Sequence, residues 1–452
     1  PFMFAGVMKL TGTGAIDNRK VGASNPPLYA QATVGTLTIL AVFALAAWLG
    51  GPIPGLIGAL FCAIYDPLVL VARSYLSEPL GGFFFVLAML AICVAVATPA
   101  RRKRLALFAG FLLGCAVLSR NDLLLLFGVL PGLSFLMAWK REGLKPAFRL
   151  AALLVVGSVV TVTPWVTYAS IEQHKLTPIT TAGPSSLWVA TYLPAQGRQI
   201  LLKRQFSAEV CKTFPTAEDA CGVTATQLDM RLIFKLLAMR HPGKTQDEAI
   251  SLELNKNIKQ DLSHPGQFAQ MLFNKLGRIW AKPWGGGAVG KQESSIWQHR
   301  ILIFGSWLGI IVGLVFAGRR RKYVLLGAAG LVAVTALNTI FVSESRMSMR
   351  MDPLLFATGI GAIGAAFRAR RGDDEPELPP PGNEENAADR DGTHAPAADG
   401  APVTGSGDTE GNTESQRNPI QTGTTSADSG AVSSASDHPA PTDIQPRLEG
   451  SS

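Results

Sequence analysis

Charge is scarce in this sequence. Only 16% of its 452 residues are Asp, Glu, Lys or Arg, while 48% are hydrophobic, and a soluble domain carries about 25% charged residues. That deficit excludes an ordinary soluble enzyme. Aromatic residues end at Phe367, and from Gly372 onward 16 acidic side chains stand against three arginines and no lysine. A stretch of this kind cannot bury enough apolar surface to offset chain entropy, so 372–452 reads as a disordered acidic tail. A phosphate-cradling glycine loop, a CxxC pair, an HExxH motif and internal repeats are all missing, which removes the chemistries those patterns carry. No signal peptide or amino-terminal anchor is visible, and the chain reads as beginning inside a larger protein. No basic region is interleaved with aromatics on a polar domain, so nucleic acid is not an expected partner.

What remains is apolar runs with basic ends. The first 371 residues hold 38 basic and 17 acidic side chains, and residues 21–65 hold no charge. Crossing a bilayer core takes roughly 20 apolar residues. Runs at about 34–50, 54–72, 79–98, 105–119, 123–139, 150–171, 300–317, 324–342 and 353–367 predict nine spans, hence an all-α polytopic membrane bundle. The basic clusters Arg101–Arg104, Lys140–Arg149, Arg319–Lys322 and Arg368–Arg371 all follow odd-numbered spans. The positive-inside rule then places that face in the cytoplasm. The expected domains are a membrane bundle over 1–171, an extracytoplasmic, mainly helical domain over 172–298, further spans over 299–371 and a cytoplasmic tail over 372–452.

The large loop holds Cys211 and Cys221, the only cysteines outside the apolar runs. In an oxidising compartment they are expected as a disulfide rather than as two free thiols. Apolar spacing predicts a helix from Gln246 to Leu262, ended by Ser263-His264-Pro265, and a second from Phe268 to Trp280. His264 and His299 are nominal ligands, with His264 better read as a helix-end residue.

Chemistry is expected where the outer loops keep charge. Arg73 pairs in sequence with Glu78, Arg120 with Asp122, and Arg346 and Arg350 with Glu344 and Asp352. Taken singly, each is an interfacial ion pair. As a set they form what a lipid phosphate requires, because Arg forks suit phosphate oxygens and carboxylates serve as bases or metal ligands.

Several motifs carry a resemblance. They are Tyr65-Asp66-Pro67, Arg73-Ser74-Tyr75-Leu76-Ser77-Glu78-Pro79-Leu80, Leu118-Ser119-Arg120-Asn121-Asp122 and Thr163-Pro164-Trp165. Gly183-Pro184-Ser185-Ser186-Leu187-Trp188, Lys275-Leu276-Gly277-Arg278-Ile279-Trp280 and Glu344-Ser345-Arg346 with Arg350 and Pro353 complete the series. In this order they resemble the GT-C glycosyltransferases that use lipid-linked sugars. The likeness is to the bacterial family 39-type group, related to protein O-mannosyltransferases and lipid A aminoarabinose transferases. It covers roughly residues 1–370, and each motif alone is loose. Met347-Ser348-Met349 stands where relatives have an aromatic-basic stretch.

The resemblance implies a bacterial inner-membrane enzyme. It would transfer a sugar from a polyprenyl-phosphate donor to an extracytoplasmic acceptor (lipid, glycan or protein), inverting the anomeric carbon. It implies Glu78 as a catalytic carboxylate and Arg120, Arg346, Arg350 and Arg73 as phosphate contacts. Asp122 and Glu344 become orienting or metal residues, a divalent cation is admitted, and the family's principal acid is expected before Pro1. A non-catalytic scaffold and a lipid-linked-glycan transporter or polymerase are the competing classes. A transporter would be expected to show polar groups near the bilayer midplane.

Overall fold

The computed structural model describes residues 6–7, 9–10, 26–73, 76–174, 176–177, 179, 183–214, 228–283, 292–341 and 345–372, the side chains of 292–295 and 345 excepted. Every regular element among them is helical. The membrane-type helices before the large loop are α1 (Pro26–Gly50), α2 (Pro52–Ile64), α3 (Asp66–Ala72), α4 (Glu78–Ala97), α5 (Arg102–Ser119), α6 (Leu126–Glu142) and α7 (Leu144–Glu172). Five more, α8 (Gly183–Thr191), α9 (Gln199–Thr213), α10 (Met230–Met239), α11 (Gln246–Ser263) and α12 (Pro265–Ala281), form the interposed segment. Then α13 (Gln292–Phe316), α14 (Arg321–Ile340) and α15 (Asp352–Arg371) return to the bundle.

Six stretches are long and apolar enough to cross a membrane: Pro26–Gly50, Glu78–Ala97, Asn121–Glu142, Leu144–Glu172, Ile296–Phe316 and Gly318–Ile340. The protein is an all-α polytopic membrane protein. The run expected as one span over 54–72 is broken instead, with α2 and α3 bent by 62°. Tyr65 is extended at the break, because Pro67 cannot give the N–H that a continuous helix would need there. Pro131 and Pro164, by contrast, sit inside α6 and α7, which run on past them.

Two expected spans fall short on composition. Helix α5 begins with Arg102-Lys103-Arg104, and α15 carries Asp352, Arg368 and several glycines. The reason for α15 is its place. It packs against α1, α2, α4, α13 and α14 and is buried along nearly its whole length, so small residues replace bulky ones. A Cβ on Gly50 would lie 3.0 Å from the Gly364 Cα, and one on Gly110 in α5 would lie 3.0 Å from the Gly157 Cα in α7. Close backbone approach through small residues is how helices associate without a hydrophobic drive. Toward the outside the bundle is apolar as well: Ile53, Leu56 and Leu60 on α2 and Ile301, Phe304 and Leu308 on α13 are exposed. Such a surface suits lipid.

The interposed helices have a separate apolar core around Trp188, Leu202, Phe206, Ile233 and Leu237. Helix α11 starts at a capping box between Thr245 and Glu248, which satisfies two otherwise orphaned N–H groups. It ends at His264, where α12 begins at Pro265. Both helices match their expected positions within a few residues. Cys211 is disulfide-bonded, whereas Cys62, Cys93 and Cys115 carry free thiols; Cys221 lies outside the described residues.

Candidate functional site

The start of α4 is fixed by Pro79 in its first turn, a position where the missing N–H costs nothing. That places Glu78 at the helix start, only 1% exposed. Arg120 follows the end of α5 and reaches Glu78 Oε1 with Nη1 at 3.2 Å. Arg346, in the turn after α14, brings Nε to the same oxygen at 3.2 Å. Helix ends from three parts of the chain therefore converge on one carboxylate.

A second carboxylate extends the cluster. Asp122 lies 3.5 Å from Arg120 Nε and pairs with Arg350. Arg350 is fully buried, and its Nη2 donates to Asn338 Oδ1 at 2.8 Å. The Met347 sulfur sits between the two guanidiniums, 3.4 Å from Arg120 Nη2 and 3.5 Å from Arg350 Nη1. Three arginines thus surround two carboxylates, leaving a positive excess at this end of the bundle.

The expected pairings hold in part. Arg120 does meet Asp122. Glu78, however, pairs with Arg120 and Arg346 rather than with Arg73. Arg350 takes Asp122 rather than Asp352, because Asp352 starts α15 facing Ser348, whose Oγ lies 3.4 Å away. Sequence proximity misled here: a helix start turns its first carboxylate toward its own turn, and the arginines reach across to neighbouring helices. Glu344 lies outside the described residues. Arg73 is exposed and lines the same cavity as Glu78.

That cavity, about 250 Å³, is bounded by apolar groups of α1, α2, α3 and α4, including Ile39, Leu68, Val71 and Pro79, and by Met349 before α15. Arg73 and Glu78 are its charged members. Glu78 Oε2 is buried and has no hydrogen-bond partner, so one oxygen is held by arginine and the other is unpaired. Gly81 matters for this arrangement, since a Cβ there would come within 2.9 Å of the Arg120 Cγ.

Sequence reasoning passed over a buried polar chain nearby. The Tyr65 hydroxyl is 2.5 Å from His299 Nδ1, and His299 Nε2 is 2.8 Å from the Trp280 carbonyl. A carbonyl only accepts, so Nε2 carries the proton and Tyr65 donates to Nδ1. His299 is therefore fully used as a core residue, and His264 caps a helix through Gln260 and Ser263. Tyr65 stood in the Tyr65-Asp66-Pro67 motif with no polar partner assigned to it, and the signal for Asn338 was a polar group inside an apolar run.

Among the described residues no three His, Cys, Asp or Glu side chains converge, and Glu78 and Asp122 both face guanidiniums. Glu344, the other carboxylate expected for a metal, lies outside the described residues. The chemistry this end can supply is recognition of a phosphate by arginine and removal of a proton by a carboxylate. It cannot be read from relatives: no known protein family, curated protein or solved structure matches the chain.

Proposed function

We propose that the protein is a membrane glycosyltransferase that moves a sugar from a polyprenyl-phosphate carrier to an acceptor at the face of the bilayer bearing 172–298. That face is extracytoplasmic, since the four basic clusters gather at the opposite end and hold it in the cytoplasm. Helices α5 and α15 cross the membrane with the others in this reading, as nine spans. One observation carries the proposal: Glu78 is held on one oxygen by Arg120 and Arg346 and bare on the other, in the wall of an apolar cavity.

The parts divide as the reaction requires. The isoprenoid lies against apolar wall, and its phosphate meets Arg73, Arg120 and Arg346. The acceptor oxygen attacks the anomeric carbon, its proton passes to a carboxylate, and the C–O bond to phosphate breaks. The charge left on that phosphate is stabilised by the preorganised arginines. Arg350 and Asp122 hold Arg120 in place.

The test uses the purified full-length protein in liposomes with radiolabelled polyprenyl-phosphate hexoses and pentoses and a membrane extract as acceptor source. Consumption of one donor with release of polyprenyl phosphate is expected. Absence of consumption for every donor, in a preparation that melts cooperatively, would reject the enzyme reading.

A further inference from the structure

The opposite end of the bundle holds a second cavity, about 280 Å³, between the starts of α5 and α7 and the end of α6. Its charged members are Arg102, Lys103, Lys145, Arg149 and Glu142. Glu142 is already engaged by Arg102, which also donates through Nε to the Ala95 carbonyl at 3.2 Å. That pair is structural and neutral. Lys103, Lys145 and Arg149 remain, exposed and around one hollow.

Three features suit this hollow to an anion. Lys145 and Arg149 are four apart on α7, a spacing at which like charges repel. Both α5 and α7 carry cations and no acid in their first turns, and neither has a side-chain cap, so the helix starts add to the positive field instead of relieving it. Leu150 and Leu153 complete its lining, with Leu150 buried and Leu153 part-exposed, so polar contacts give way to hydrocarbon along α7. A free anion needs no apolar side; a phospholipid does.

We infer that this cavity binds the phosphate of an anionic membrane lipid, with its acyl chains running past Leu153 along α7. Basic groups at a bundle end attract anionic lipids by about fivefold in affinity per cation. The site is independent of the Glu78 cluster and stands whether or not the protein transfers sugar.

The test titrates the full-length protein in dodecyl maltoside with phosphatidylglycerol, phosphatidylcholine or inorganic phosphate and reads apparent affinity from the melting midpoint. Phosphatidylglycerol is expected to raise the midpoint, and the other two to leave it unchanged. The triple variant Lys103→Gln/Lys145→Gln/Arg149→Gln should melt as wild type in phosphatidylcholine and bind phosphatidylglycerol about 10²-fold more weakly. Arg102 is left alone because its pair with Glu142 holds the fold. Undiminished affinity in the triple variant would overturn the assignment. So would an equal response to inorganic phosphate, which would make the ligand a free anion.

Discussion

Arg346 Nε and Glu78 Oε1 meet at 3.2 Å, joining the turn after α14 to the first residue of α4. Arg120 reaches the same oxygen at 3.2 Å, so the two arginines are alternatives for one partner. Replacing either with Gln should lower stability by about 1–3 kcal/mol. Replacing both should cost more than the two single losses together, because a buried carboxylate is then left without a counter-charge. Thermal melts of the two single variants and the double variant measure this; simple additivity would mean the pairs act independently.

Gly81 controls the position of Arg120. Its Cβ would lie 2.9 Å from the Arg120 Cγ, so Gly81→Ala should push the guanidinium off Glu78. Expression and membrane insertion should be normal, while transfer falls by about tenfold or more, the scale of a small misplacement at a reacting site. A wild-type rate would show that Arg120 is not needed in this position.

Lys275 predicts a pH dependence. It is fully buried, and its Nζ donates to the Ala190 carbonyl at 3.1 Å and the Ile340 carbonyl at 3.3 Å, tying α12 to α8 and to the end of α14. Burial, with Arg278 adding to it and Asp261 opposing, pushes its ammonium down from 10.5 to about 8. Between pH 8 and 10.5 the unfolded chain therefore binds more protons than the folded one, and stability must rise with pH across that window. The gain is about 3 kcal/mol at its upper end. Burial raises Asp261 to about 6, which has the opposite sign: stability falls as pH rises from about 4 to 6. Melting midpoints between pH 8 and 10 should climb in wild type and stay flat in Lys275→Met.

Much of this bundle could be read from the chain, and the failures have two causes. Apolar runs gave helix positions because hydrocarbon burial dominates a long uncharged segment. The break at Tyr65 was missed because hydropathy ignores what Pro67 does to the backbone. The convergence of Glu78, Arg120 and Arg346 on one end followed from the alternation of loops. Their pairing did not, since nearest charges in sequence point along their own helix ends while contacts are made across the bundle. Arg350 with Asp122 and Asn338 is the clearest case. Tyr65 and His299 were invisible as a pair because nothing in the sequence relates α2 to the start of α13.

Cys211 tests redox state and orientation together. It is disulfide-bonded and partly exposed, so a membrane-impermeant maleimide added outside intact cells should label it only after reduction. Labelling without reduction would contradict the disulfide. Labelling only after cell disruption would put 172–298 in the cytoplasm and invert the orientation.

The most direct measurement is single-turnover sugar transfer from a polyprenyl-phosphate donor by Glu78→Gln in the full-length protein. Gln keeps the volume and one acceptor oxygen for Arg120 and Arg346 but cannot take a proton. The account predicts a folded protein whose transfer rate falls by about 10²-fold or more, beside a control, Arg101→Gln, at the other end of the bundle that transfers normally. Transfer by Glu78→Gln at the wild-type rate would contradict the account at its centre.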